Sequence, residues 1–83
     1  MIEAVSVRLF ARFRDAFGMD SIEVALPAGA TVKEVREQIA LLNPGITNLL
    51  ARSQVAVNGE LASDEVPVRP GDEVAVLPPV SGG

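Results

Sequence analysis

At 83 residues the chain is long enough for one domain and no more. With no Cys it has neither a disulfide nor a thiolate metal site to staple it, so its core must come from aliphatic packing, which 48% hydrophobic and only 4% aromatic residues suit. A formal charge of −4, with Lys33 the only lysine, argues against a nucleic-acid binder, which needs a basic stripe.

Val5, Val7, Leu9 and Ala11 alternate with Ser6, Arg8 and Phe10. Period two predicts a strand with Val5, Val7 and Leu9 turned inward and Phe10 on the opposite face. Ile22, Val24 and Leu26 alternate with Ser21, Glu23 and Ala25 as a second strand, ended by Pro27-Ala28-Gly29. The intervening ARFRDAFGMD is long for a tight hairpin and has room for a short helical turn. Thr31-Val-Lys-Glu34 is a capping box, in which the Thr31 hydroxyl and the Glu34 carboxylate each take a free backbone N–H. After it Val32, Val35, Ile39 and Leu42 fall on one helical stripe. Asn43-Pro44-Gly45 stops that helix after roughly three turns, because Pro44 pushes Asn43 out of helical geometry. Leu49 and Leu50 then cover the core from a short turn. A third strand alternates Val55 and Val57 with Gln54, Ala56 and Asn58, and Asn58-Gly59 turns it back through Glu60 to Ala62. Arg69-Pro70-Gly71-Asp72 has Pro and Gly where a type II turn wants them. Glu73 to Leu77 is the last strand, with Val74 and Val76 inward and Leu77 outward. The order strand, strand, helix, strands predicts an α+β roll, with one main helix on one face of a mixed four- to five-stranded sheet.

What is absent bears on function. Without His or Cys nothing titrates near neutrality unless strongly perturbed. Neither GxxxxGK[ST] nor GxGxxG occurs, and no pair of carboxylates stands out. A stand-alone enzyme, a metal site and a bound cofactor are therefore not expected. The apolar runs are too short to span a bilayer, and MIEAVSV lacks the basic start and long apolar stretch of a signal peptide. The expectation is a cytoplasmic protein with neither a membrane nor a nucleic-acid partner. Arg8, Arg12 and Arg14 lie close in sequence, and read as a solvated edge balanced by Asp15 rather than as a phosphate site.

The face that the helix leaves bare is more informative. Phe10 and Leu77 point to it, joined by Leu61 if the return strand turns that residue outward, since Leu61 fits either side. Apolar patches of this kind mark partner surfaces. Leu77 leads straight into PPVSGG, so a partner gripping the patch is placed to receive the tail. This divides the chain into a folded domain, 1–77, and an extended tail, 78–83. Pro78-Pro79 favours polyproline geometry, and Gly82-Gly83 without Cβ atoms fits a channel too narrow for other residues. The Gly83 carboxylate is a poor electrophile until it is joined to AMP through ATP as a mixed anhydride, whose acyl group a sulfur nucleophile can take. No residue of the chain can perform that activation, so an enzyme partner must.

PGDEVAVLPPVSGG closely resembles the C-terminal signature of the small subunits of molybdopterin synthase, and ARFRDAFG, TVKEVREQI and VAVNGEL extend the similarity along the chain. Ser81 stands where Thr is common in that family. The resemblance implies a ubiquitin-like β-grasp fold and a sulfur carrier. It implies that an E1-like activating enzyme adenylates Gly83 with ATP, and that a sulfur donor system converts it to a thiocarboxylate. A large catalytic subunit then takes Pro78, Pro79, Val80, Ser81 and Gly82 into its active site, where sulfur passes to precursor Z. Phe10, Leu61 and Leu77 map onto the surface such carriers use for partners. The competing readings are a carrier for another product (the thiazole of thiamin, or cysteine), a ubiquitin-like modifier joined to lysines through Gly83, and a passive β-grasp module.

Overall fold

The computed structural model describes residues 2–79. Its elements in chain order are β1 (Ile2–Leu9), α1 (Arg12–Phe17), β2 (Ser21–Pro27), α2 (Val32–Leu42), a 3-10 turn (Pro44–Ile46), α3 (Thr47–Ala51), β3 (Gln54–Val57), β4 (Glu60–Ala62) and β5 (Val74–Leu77). The strands form a single five-stranded sheet in the order β2-β1-β5-β3-β4. The central pair β1–β5 is parallel, with Val7 opposite Val74 and Leu9 opposite Val76, and all other pairs are antiparallel. This is the α+β roll that the element order predicts, in the β-grasp form that the resemblance implies.

Alternation fixes which face is buried. Val5, Val7 and Leu9 of β1, Val24 and Leu26 of β2, Val55 of β3, and Val74 and Val76 of β5 all lie in the core. Val32, Val35 and Ile39 of α2 close over them. Leu42, expected on the same stripe, is 57% exposed, and Leu41 is exposed as well. The stripe ends at Ile39 because the helix runs out past the layer that α3 and the 3-10 turn fill with Ile46, Leu49 and Leu50. Ala11 also departs from the strand reading. The strand stops at Leu9, and Ala11 takes φ 51° as the residue that turns the chain into α1. That turn buries Phe13 completely, an aromatic that strand periodicity does not single out.

The N-terminus of α2 has its free donors satisfied by a distant segment. Val32 N–H donates to the Val66 carbonyl at 2.9 Å and Lys33 N–H to the Asp64 carbonyl at 3.1 Å. Thr31 N–H donates to Glu34 Oε1 at 3.3 Å, the Glu34 arm of the capping box. Arg36 completes the tie: Nη1 donates to the Leu50 carbonyl and Nη2 to the Ser53 carbonyl, both at 2.8 Å, while Nε donates to Asp64 Oδ1 at 3.1 Å. One guanidinium thus joins α2, the end of α3 and the 63–69 connection.

The two predicted turns lean on one another. Asn58 and Gly59 both take positive φ, 53° and 83°, as a two-residue hairpin of type I′ requires, and Gly71 takes φ 94° at the position a type II turn reserves for glycine. Asn58 Nδ2 donates to Asp72 Oδ1 at 3.2 Å, and Asp72 Oδ2 accepts from the Arg69 N–H at 2.9 Å. The Arg69 N–H first, and then the Asn58 amide, hold the Asp72 carboxyl below its ordinary value of 3.8. A folded pKa below the unfolded one contributes stability that is complete above the ordinary value and is lost as pH falls through the lowered one. Asp72→Asn should therefore flatten the acid limb of the stability profile, measured as urea midpoints from neutral pH downward. An acid limb identical in the variant would show that the carboxylate does not hold the turns together.

Candidate functional site

The uncovered face of the sheet is built by the same alternation that builds the core. Arg8 pairs with Ser21 on one side and Ala75 on the other; Ala75 pairs with Ala56, and Ala56 with Leu61. Ser21, Arg8, Ala75, Ala56 and Leu61 therefore form one row across the whole sheet, on the face opposite Val7, Val74 and Val76. This settles the orientation of Leu61: it points away from the core and is 62% exposed. One step further along the strands, Leu77 pairs with Gln54 and is half-buried. Phe10 follows Leu9 as Leu77 follows Val76, so the register carries both past the same paired residues. Phe10 is 38% exposed. The side chains between Arg8 and Leu61 are the two alanines, so the strip has a low floor there, with Phe10 and Leu77 rising beside it one step along the strands and Leu61 at its end. Ile2 is exposed on the same face by parity, but lies at the far end of β1, roughly 25 Å away.

Pro78 and Pro79 follow β5 directly, are half-buried, and line a pocket of about 250 Å³ with Arg52, Gln54 and Leu77. The base of the tail therefore leaves the sheet at Leu77, next to the apolar strip. Val80, Ser81, Gly82 and Gly83 lie outside the described residues.

The three arginines at the end of β1 and in α1 do not converge. Arg8 stands on the open face with Cζ 5.5 Å from the centroid of the Phe10 ring. Arg12 opens α1 and lines a separate pocket with Gly45, Ile46 and Leu49. Arg14 lies 3.8 Å from Asp20, so its acidic neighbour is Asp20 and not the expected Asp15. Sequence reasoning grouped these arginines by proximity along the chain, and so missed that Arg8 belongs with Phe10; strand parity was the signal that joins them. Among the described residues no three metal-ligating side chains cluster, and no helix is long and apolar enough to cross a membrane. The arrangement offers contact area and an emerging tail: a surface suited to holding another protein.

Comparison with known proteins places this geometry in context. The ThiS family model matches residues 7–83. The molybdopterin synthase sulfur carrier subunit of Dictyostelium discoideum is 34% identical over 86 residues, covering 100% of both chains. That of Escherichia coli K12 is 37% identical over 81 residues, covering 95% of this chain and 99% of its own. Among solved structures, the putative molybdopterin converting factor subunit 1 of Pyrococcus furiosus superposes with a TM-score of 0.81 at 35% identity, covering 93% of this chain and 98% of that one. SAMP1 of Haloferax volcanii gives 0.83 at 27% identity, over 98% and 100%. A chain from the complex of subunits 1 and 2 of the molybdopterin-converting factor of Helicobacter pylori gives 0.63 at 28%, over 100% of each.

Proposed function

The chain belongs to the ThiS family, and from that membership we propose that it is the sulfur-carrier small subunit of a molybdopterin synthase. The observation that carries this reading is the end-to-end match to sulfur carrier subunits of that synthase in distant organisms. Gly83 is the reacting residue. An E1-like enzyme joins its carboxylate to AMP from ATP, releasing pyrophosphate, and the mixed anhydride supplies the leaving group that a bare carboxylate lacks. A sulfur donor system displaces AMP and leaves the thiocarboxylate. A large catalytic subunit grips Phe10, Leu61 and Leu77 and draws in Pro78, Pro79, Val80, Ser81 and Gly82, so that the sulfur reaches precursor Z and builds the dithiolene of molybdopterin. ATP serves the activating enzyme, and the carrier itself holds no cofactor. The cytoplasm is the compartment this chemistry calls for.

The catalytic groups belong to the large subunit in this scheme. Without His or Cys the carrier has no ordinary neutral-pH base or nucleophile of its own. The test has two stages. Incubation with the activating enzyme, ATP and a sulfur source should give the intact-mass change of one oxygen replaced by sulfur. The purified product, given precursor Z, should form dithiolene only after the large subunit is added. Efficient dithiolene formation by the small chain alone would refute the carrier reading.

A second reading has one observation in its favour, the close superposition on a small archaeal modifier protein. A modifier shares the acyl-adenylate and differs in the final nucleophile, a lysine amine in place of sulfur. Lysine-linked adducts on other proteins once cell extract is added to the first incubation, with no thiocarboxylate, would select it.

A further inference from the structure

Arg8 occupies the row that runs from β2 to Leu61, and its guanidinium stands over Phe10 at 5.5 Å from the ring centroid. A partner that touches both Phe10 and Leu61 crosses the strip diagonally, past Leu77, Ala75 and Ala56, and in covering the Phe10 ring it meets the Arg8 guanidinium stacked on it. The ion pairs among the described residues are Arg14–Asp20 and Arg36–Asp64, and Arg8 belongs to neither. The acids nearest in register are Glu23, which pairs with Ser6, and Glu73, which precedes Val74 and so falls level with Ser6 on β5; both sit diagonally from Arg8, and neither is ion-paired to it. Covering this face would strip water from a cation that neither of its diagonal acids pairs with. An unpaired charge taken out of water is strongly unfavourable, so the covering surface has to provide its complement.

We infer that the partner docking on this face sets an aspartate or glutamate carboxylate against Arg8, making an arginine–carboxylate pair that is covered together with the apolar contact formed by Phe10, Leu77 and Leu61. The inference rests on the reading of this face as the docking surface. A guanidinium stacked on a ring is already restrained, and its planar fork matches a carboxylate through two parallel hydrogen bonds. A protein carboxylate fits better than a polyanion such as nucleic acid or a phosphate-rich membrane. The strands present one cation on this face, Arg8, beside the apolar strip and with Glu23 and Glu73 on the same side, on a chain whose net charge is −4. The pair also sets register. An apolar strip alone tolerates sliding, whereas a carboxylate fixed opposite Arg8 holds Leu77, and the tail that follows it, at one position on the partner.

The test is titration of the full chain with the large synthase subunit of the same organism, at low and high salt, for Arg8→Ala, Arg8→Lys, Arg8→Glu and Phe10→Ala. Thermal unfolding of each variant verifies that the exposed position has not perturbed the fold. Arg8→Ala should weaken binding at least about thirtyfold, the ordinary cost of truncating one partner of a desolvated pair. Arg8→Glu should weaken it further, and Arg8→Lys less than alanine does. The salt dependence of the dissociation constant should flatten in the alanine variant. Replacing the opposing acid of the large subunit with lysine should restore binding to Arg8→Glu. Normal affinity for Arg8→Ala and Arg8→Glu alongside weak binding of Phe10→Ala would overturn the ion pair and leave the docking face standing. Normal affinity for Phe10→Ala and Arg8→Glu together would remove the docking face, and the pair with it.

Discussion

Gly83→Val is expected to abolish sulfur transfer while leaving the fold as stable as the parent. The substituted residue carries the carboxylate that the proposed chemistry consumes. In an adenylating site the nucleophilic oxygen must lie in line with the α-phosphate of ATP, and reacting atoms a single ångström out of place already cost a large factor in rate. A branched Cβ next to that carboxylate also fills the space which two successive glycines leave open. Both effects act before sulfur is loaded, so the variant should show neither the sulfur-for-oxygen mass change nor dithiolene formation with the large subunit. The buried core of the described residues ends at Val76, so the unfolding free energy should move by no more than about 0.5 kcal/mol. Docking through the sheet face should survive, which makes the variant a competitive inhibitor of the loaded carrier. A Gly83→Val chain that loads sulfur at the parental rate would end the assignment of Gly83.

The sheet was legible because its information is local and redundant. Every strand but the short return strand carries its own period of two, Asn58-Gly59 and Pro70-Gly71 mark turns whose positive φ values only a few residues accept, and Thr31 with Glu34 marks one helix start. What escaped depends on partners distant in sequence. Arg36 reads as an ordinary helix-surface cation, yet it binds the carbonyls of Leu50 and Ser53 and the carboxylate of Asp64. Val68 is buried and its N–H donates to the Ala30 carbonyl at 2.9 Å, in a segment that propensity leaves without regular structure. Leu42 shows the opposite error: it keeps the helical period, but the layer it would pack against ends at Ile39.

The docking strip was half legible. Parity put Phe10 and Leu77 on the bare face, while a short return strand of Glu60–Ala62 gave too few residues to orient Leu61 by period alone. The pairing of Ala56 with Leu61 decides it, and pairing is a property of the folded sheet. Arg8 needed the same step. Parity already put it on the face of Phe10, but the stacking of its guanidinium on that ring is a contact of the folded chain.

Phe10 and Phe13 stand close together in the chain, and exchanging each for alanine should give opposite results. Phe13 is completely buried under α1, against the core. Its removal leaves a cavity that a small domain has little means to close, and Phe13→Ala should cost about 3–5 kcal/mol of unfolding free energy. In a domain of this size that is much of the total stability. Phe10 is 38% exposed on the other face, with its ring under the Arg8 guanidinium rather than under the core. Phe10→Ala should therefore leave the urea midpoint nearly unchanged. If Phe10 anchors the large subunit, the same variant should weaken that complex by about 2 kcal/mol or more, near thirtyfold in the dissociation constant. The pair of variants separates docking from folding within one experiment, because both remove the same side chain, one from the end of β1 and the other from α1 three residues later. Chemical unfolding and partner titration of each supply the two readouts. Strong destabilisation by Phe10→Ala with parental affinity would mean that the bare face of the sheet is part of the core, and that the docking surface lies elsewhere.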